Sequence, residues 1–187
     1  MKLLHKILGI GTLGLVIALP LVGQNPVWAG FPQVQEAIAQ VAQQPAVQLN
    51  LAAAKKSIVV TTGGQKKIKW ESLTDKAVVQ PGDTLRYTVS SDNTGANPAK
   101  DLTITQPVPE QMVYKLDTAT SKNEAKVTYS TDNGESFVAK PVIKIKTENG
   151  EIVEKPAPAE TYTHIRWQFD SLAPEARILA KYDVEVQ

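Results

Sequence analysis

Past Pro45 the chain never sustains a helical period. Apolar residues alternate with polar ones instead, in short runs separated by turn residues, and this pattern constrains the fold more than any other feature. The clearest unit is Val78 to Gly95. Pro81-Gly82-Asp83 carries turn chemistry, since proline presets φ and glycine admits a positive one. Leu85, Tyr87 and Val89 then alternate with Thr84, Arg86 and Thr88, so one face of the segment can enter a core. Asp92-Asn93-Thr94-Gly95 closes it with a second turn cluster.

The same grammar repeats along the chain. Val47, Leu49, Leu51 and Ala53 alternate, and Ser57 to Thr61 adds β-branched residues before a Gly63-Gly64 turn. Ile68 and Trp70 follow, then the Val78–Gly95 unit, a loop over Asn93 to Lys100, and Leu102 with Ile104. Pro107-Val108-Pro109 interrupts the ladder, because proline has no N–H to donate. Met112, Tyr114 and Leu116 alternate next, and Val127 and Tyr129 open a hairpin that turns at Asp132-Asn133-Gly134. Ile143 and Ile145 lead into Asn149-Gly150, a strong hairpin signal. Ile165, Trp167 and Phe169 form one more alternating set, and Ile178 to Val186 the last. Some nine or ten short strands of this kind bury their apolar faces as two packed antiparallel sheets. The expected fold is therefore an all-β sandwich over residues 47–187, with Trp70 and Trp167 on its core side.

The first 29 residues have the three parts of a secretory signal peptide. Lys2 and Lys6 precede an apolar run from Ile7 to Val22, and Val27-Trp28-Ala29 places small residues around a cleavage point before Gly30. His5 goes with this leader. Residues 30–46 are rich in Gln and Ala and read as a linker or short helix, marginal in water on its own. The chain carries a net charge of +1, and the leader holds two lysines and no acid, which leaves −1. Such a chain has no basic footprint for nucleic acid. With no cysteine it has no disulfide, thiolate metal site or thiol nucleophile. An exported protein of this kind is held by its core alone.

The run V-V-Q-P-G-D-T-L-R-Y-T-V, with the later N-T-G, A-K-D-L-T-I and P-V-P and the closing S-L-A-P and Arg177–Val186 strand, resembles the DUF11 (conserved repeat) domain. The resemblance spans residues 78–187. It implies an immunoglobulin-like antiparallel β-sandwich in a bacterial exported or cell-surface protein. It implies no catalytic or binding residues. The chain departs from that pattern in having Gln106 before Pro107, and in having room for a single copy rather than tandem repeats.

Several constellations could carry chemistry, and each has a plainer use. Ser130-Thr131-Asp132-Asn133-Gly134-Glu135-Ser136-Phe137 matches an Asp-box, in which the carboxylate accepts N–H groups across a tight turn. One copy cannot build a propeller, so a stabilised hairpin is expected. The aspartates at 83, 92, 101 and 132 lack the spacing of a calcium loop and suit turns. His164 shares parity with Arg166 and faces away from Trp167, as a cross-strand or solvated residue. Lys66, Lys67, Lys69, Lys144 and Lys146, outward-facing and separated by acids, read as surface charge that resists edge-to-edge pairing.

These readings lead to a non-catalytic, exported module with a structural or interaction role in the bacterial envelope. It would be periplasmic, cell-surface or extracellular. No metal or cofactor is expected. The partner would be an envelope protein or glycan, with no nucleic acid, and membrane contact only through the transient leader. The alternative is a carbohydrate- or ligand-binding module of the same fold, which would present Trp70, Tyr114, Tyr129, Tyr162 and Trp167. A coplanar, exposed pair among those five separates the two readings.

Overall fold

A computed structural model describes residues 16–18, 46–74 and 77–187. The linker expected over residues 30–46, apart from Ala46, lies outside the described residues, as does the leader apart from β1 (Val16–Ala18). The strands that follow are β2 (Val47–Val60), β3 (Lys66–Ser72), β4 (Thr84–Asn93) and β5 (Ala99–Pro107). Next come the short β6 (Met112–Tyr114) and β7 (Thr120–Ser121), then β8 (Lys126–Ser130). β9 (Val142–Lys146) and β10 (Ile152–Pro156) precede a 3₁₀ turn at Ala159–Thr161. β11 (His164–Leu172) and β12 (Arg177–Val186) complete the chain.

Every strand pair is antiparallel. One sheet runs β1-β5-β11-β8 and a larger one β3-β2-β4-β12-β6, while among the described residues β9 and β10 pair only with each other. After β2 the chain passes between the two main sheets from β4 to β5, from β5 to β6, from β7 to β8 and from β11 to β12. The turn expected at Pro81-Gly82-Asp83 leads into β4, within the larger sheet. At Pro81-Gly82-Asp83 the φ of Gly82 is 86°, Asp83 N–H donates to the Gln80 carbonyl at 3.0 Å, and Gln80 N–H donates to the Asp83 carboxylate at 2.7 Å.

The two main sheets share one apolar core. Leu85, Tyr87 and Val89 of β4 and Ile178, Ala180, Tyr182 and Val184 of β12 meet Leu102 and Ile104 of β5 and Ile165, Trp167 and Phe169 of β11. The alternation forecast for these four strands sets their buried faces. Trp167 is fully buried, and its ring lies 6.0 Å from that of Tyr182, whose hydroxyl donates to the Pro107 carbonyl at 3.0 Å. Removing a ring of this size from a packed core leaves a cavity that neighbours fill only in part.

Asn93 reads from the sequence only as part of the turn cluster that closes β4. It ends β4 fully buried. Its amide donates to the carbonyls of Asn97 at 2.8 Å and Leu172 at 3.0 Å, while its side-chain oxygen accepts Gly95 N–H at 3.1 Å. One amide thus fastens the β4–β5 crossover to the end of β11, which satisfies backbone groups that burial would otherwise strand.

β1 belongs to the segment read as a leader. Its residues pair with the outer edge of β5, Val16 opposite Thr105 and Ala18 opposite Thr103. This edge of β5 is therefore covered.

Candidate interaction surfaces

The five aromatics singled out from the sequence fall into three settings. Trp167 is core. Tyr114, Tyr129 and Tyr162 come together at one end of the molecule, from β6, from β8 and from the exit of the 3₁₀ turn. Their ring centroids lie 5.6, 5.4 and 5.4 Å apart. Tyr129 and Tyr162 meet edge to face, with 74° between their planes, an arrangement that suits ring quadrupoles and gives packing energy. Tyr114 is buried and its hydroxyl accepts Ala119 N–H at 3.1 Å. Burial, and then the hydrogen bond with Tyr114, push the Tyr129 phenol well above its ordinary pKa. Burial raises Tyr162 too. Beside Tyr114 lies a shallow cleft of about 380 Å³ lined by Leu116, Ala159 and Glu160, with the Lys115–Glu185 ion pair (2.7 Å) at its side. None of these rings forms a coplanar exposed pair, the platform on which a sugar face stacks.

Trp70 corrects the sequence reading. It was expected on the core side, but it pairs with Lys56 on the outer face of the larger sheet. There the Arg86 guanidinium lies 3.8 Å from its ring centroid. Arg86 also donates two hydrogen bonds to Asp183, at 2.7 and 2.9 Å, across the β4–β12 pair. Its alternation with Ile68 is genuine, but the register puts this set on the face of Arg86, opposite the core residues Leu85 and Tyr87.

That outer face continues into a protruding ribbon. β2 pairs with β4 only as far as Lys55, whereas it pairs with β3 from Ala54 to Val60. Lys56–Val60 and Lys66–Trp70 therefore form a two-stranded ribbon beyond the sandwiched sheets. Ile58 stands directly opposite Ile68, and Val60 opposite Lys66. These aliphatic side chains are open to solvent: Ile58 is 63%, Val60 61% and Ile68 61% exposed. Lys56, Lys66, Lys67 and Lys69 are the only charged residues between 56 and 70. Lys56, Lys66 and Lys67 form no ion pair among the described residues, and Lys69 lies 3.4 Å from Glu71. Acids were expected to break up these lysines; within the ribbon none does.

The Asp-box segment closes on itself. Asp132 accepts Ser136 N–H at 3.0 and 3.1 Å and the hydroxyls of Ser130, at 2.6 Å, and of Ser136. Ser130 Oγ in turn accepts Gly134 N–H at 2.8 Å. These donors hold the Asp132 carboxyl down at about 2, Ser130 contributing most. Sequence reasoning missed the far side of the network. Thr163 Oγ1 accepts Asn133 N–H at 3.1 Å, sits 3.4 Å from Ser130 Oγ and lies 3.2 Å from His164 Nδ1. His164 packs edge-on against Phe137, at 6.5 Å between ring centroids, and Arg166 stacks on the other ring contact of Phe137 at 3.4 Å. Ser, His and Asp are thus linked, but Ser130 is buried and its hydroxyl is fully engaged in the turn. The arrangement is a brace. Among the described residues no group of three His, Cys, Asp or Glu side chains converges as metal ligands would.

No family model matches this chain, nor does any curated protein or solved structure.

Proposed function

We propose that the chain is a non-catalytic, exported β-sandwich module with a structural or interaction role in the bacterial envelope, its two sheets connected in the immunoglobulin-like manner. One observation carries this reading. The aromatic, hydroxyl and carboxylate groups that could serve chemistry are engaged inside the fold, while the aliphatic side chains of the β2–β3 ribbon are turned outward. The composition of residues 1–29 supports export, and a cysteine-free chain suits a domain held by its core. The resemblance of residues 78–187 to the conserved-repeat sandwich rests on its motifs alone.

Fractionation of expressing bacteria is the direct test. The protein is expected outside the cytoplasm with Gly30 as its first residue. A cytoplasmic pool that begins at Met1 and is never processed would overturn the export reading. For the role itself, a glycan array should return no ligand whose binding is lost in Tyr162→Ala; a glycan that depends on that ring would replace the interaction reading with the carbohydrate one.

A further inference from the structure

We propose that the β2–β3 ribbon docks on an anionic lipid surface, with Ile58, Val60 and Ile68 entering the boundary between headgroups and acyl chains. The inference deepens the interaction reading above and rests on it.

Exposure comes first. Among the described residues no layer covers the contiguous aliphatic side chains of this two-stranded ribbon. A ribbon of this kind is marginal alone in water, and a clustered apolar surface marks a contact. Val59, on the opposite face, is 44% exposed, so the end of the ribbon is apolar on both sides.

Charge then selects the occupant. Lys56 and Lys66 share the face of Ile58 and Ile68. A second copy laid on this face would set lysine against lysine, which disfavours self-association. The partner must carry negative charge. The ribbon holds four lysines and no acid, Lys56 and Lys66 on the face of Ile58 and Ile68 and Lys67 and Lys69 on the face of Val59; lysine stems can lie along apolar groups while their ammonium heads reach phosphate.

Size decides between a protein and a bilayer. Five residues on each of two strands make a face of roughly 17 Å by 10 Å, on the order of 200 Å². A stable protein interface needs about 800 Å² from each side. A bilayer needs no shape complementarity, only apolar area and charge. The lysines then act together, each worth roughly fivefold in partitioning.

The test uses the full chain and co-sedimentation with two vesicle types, phosphatidylcholine alone and equimolar phosphatidylglycerol with phosphatidylcholine. Residues 1–45 are common to wild type and variants, so any contribution from them cancels. Wild type is expected to bind the anionic vesicles at least about tenfold better, and to lose that excess at ~1 M salt, where screening acts within about 3 Å. Lys66→Glu with Lys67→Glu should remove more than about tenfold of the binding. Ile58→Ser with Ile68→Ser should weaken it by several-fold at an unchanged denaturation midpoint. Lys144→Glu with Lys146→Glu, on the β9–β10 hairpin, should change it less than about twofold if only this ribbon docks.

Equal binding of wild type and the Lys66/Lys67 variant would overturn the inference, as would binding indifferent to salt. A concentration-dependent dimer abolished by Ile58→Ser with Ile68→Ser would assign the face to a second copy instead. An acidic protein retained by wild type but not by the Lys66/Lys67 variant, with no vesicle binding, would sink the lipid assignment and leave the interaction reading standing. Loss of both would remove the interaction reading as well.

Discussion

Two hairpins leave the body of this molecule, and they turn in the same way. In the first, Thr61 to Gln65 joins β2 to β3; in the second, Thr147 to Glu151 joins β9 to β10. Thr61 N–H donates to the Gln65 carbonyl at 2.9 Å, and Thr147 N–H to the Glu151 carbonyl at 2.8 Å. Each threonine hydroxyl bonds that same carbonyl, at 3.2 and 3.1 Å. The fourth loop residue is a glycine in each, Gly64 with φ 75° and Gly150 with φ 81°. The faces differ. Residues 56–70 hold four lysines and no acid, whereas residues 142–156 hold three lysines and three glutamates, with Lys144 directly opposite Glu154. The roots differ as well: β2 continues into the larger sheet, while the β9–β10 pair is joined to no other strand among the described residues. Turn chemistry sets the shape of such a ribbon, and the residues on its faces set what it can meet.

If both ribbons stand outside the cooperative core, substitutions should sort by location. Trp167→Ala should lower stability by about 3–5 kcal/mol, through lost burial and a residual cavity. Ile58→Ala and Ile152→Ala, exposed on the first and second ribbon, should each change it by less than about 0.5 kcal/mol. Chemical denaturation measures all three. A ribbon variant that approached the Trp167 variant would show that ribbon to be part of the core.

The roots should separate next. Arg86 holds Asp183 through two hydrogen bonds and covers Trp70. The pair is partly shielded, with side chains 26% and 11% exposed. Arg86→Met leaves the carboxylate without its partner and should cost about 2–3 kcal/mol, the low end for a pair this accessible. Lys144→Met, in the second ribbon, should cost less than about 0.5 kcal/mol. Equal effects would mean that the first ribbon is no better anchored than the second.

The strands of the body were legible because each has one face against the other sheet. Leu85, Tyr87 and Val89 could alternate only for that reason. Trp70 was misplaced by the same rule. Its strand alternates, yet pairing sets Trp70 and Ile68 on the side of Arg86, the face turned away from the core. The ribbon surface was hidden for the same reason: Ile58, Val60 and Ile68 look like core residues until the pairing shows which face they share and that β4 begins short of them. The tyrosine cluster drew on β6, β8 and the 3₁₀ turn, and no local pattern brings those together. The Asp-box was recognised over its eight residues, but its brace at Thr163 and His164 comes from a neighbouring strand more than thirty residues away.

The matching turns give a finer test. A side chain at Gly64 or Gly150 meets no backbone at close range, so the expected cost is the left-handed backbone alone, about 1 kcal/mol each. Gly64→Ala and Gly150→Ala should therefore speed hydrogen exchange at Thr61 and Thr147, respectively, by similar factors of about five. A large effect in one ribbon and none in the other would show that the shared hydrogen bonds do not make the turns equivalent.

The third hairpin, at Ser130 to Phe137, provides the contrast of a turn folded back onto the body, and pH should reveal it. Asp132 falls from an ordinary 3.8 to about 2 in the folded chain. The unfolded chain therefore takes up this proton first as pH falls, so its stabilising share is complete above about 3.8 and disappears on descending to about 2. His164 is shifted down as well, by burial first and by Arg166 second, with Asp132 opposing. For a histidine this direction means that the folded chain prefers the neutral ring, and its share is complete above about 6.5 and declines as pH falls below that value. Wild type compared with Asp132→Asn should thus lose a small extra increment of stability between about pH 3.8 and 2, and His164→Phe should remove the earlier decline below about 6.5. An Asp132 carboxyl that titrates in the ordinary range by carbon NMR would mean that the brace does not hold its carboxylate, and the third turn would then be as loosely held as the two ribbons.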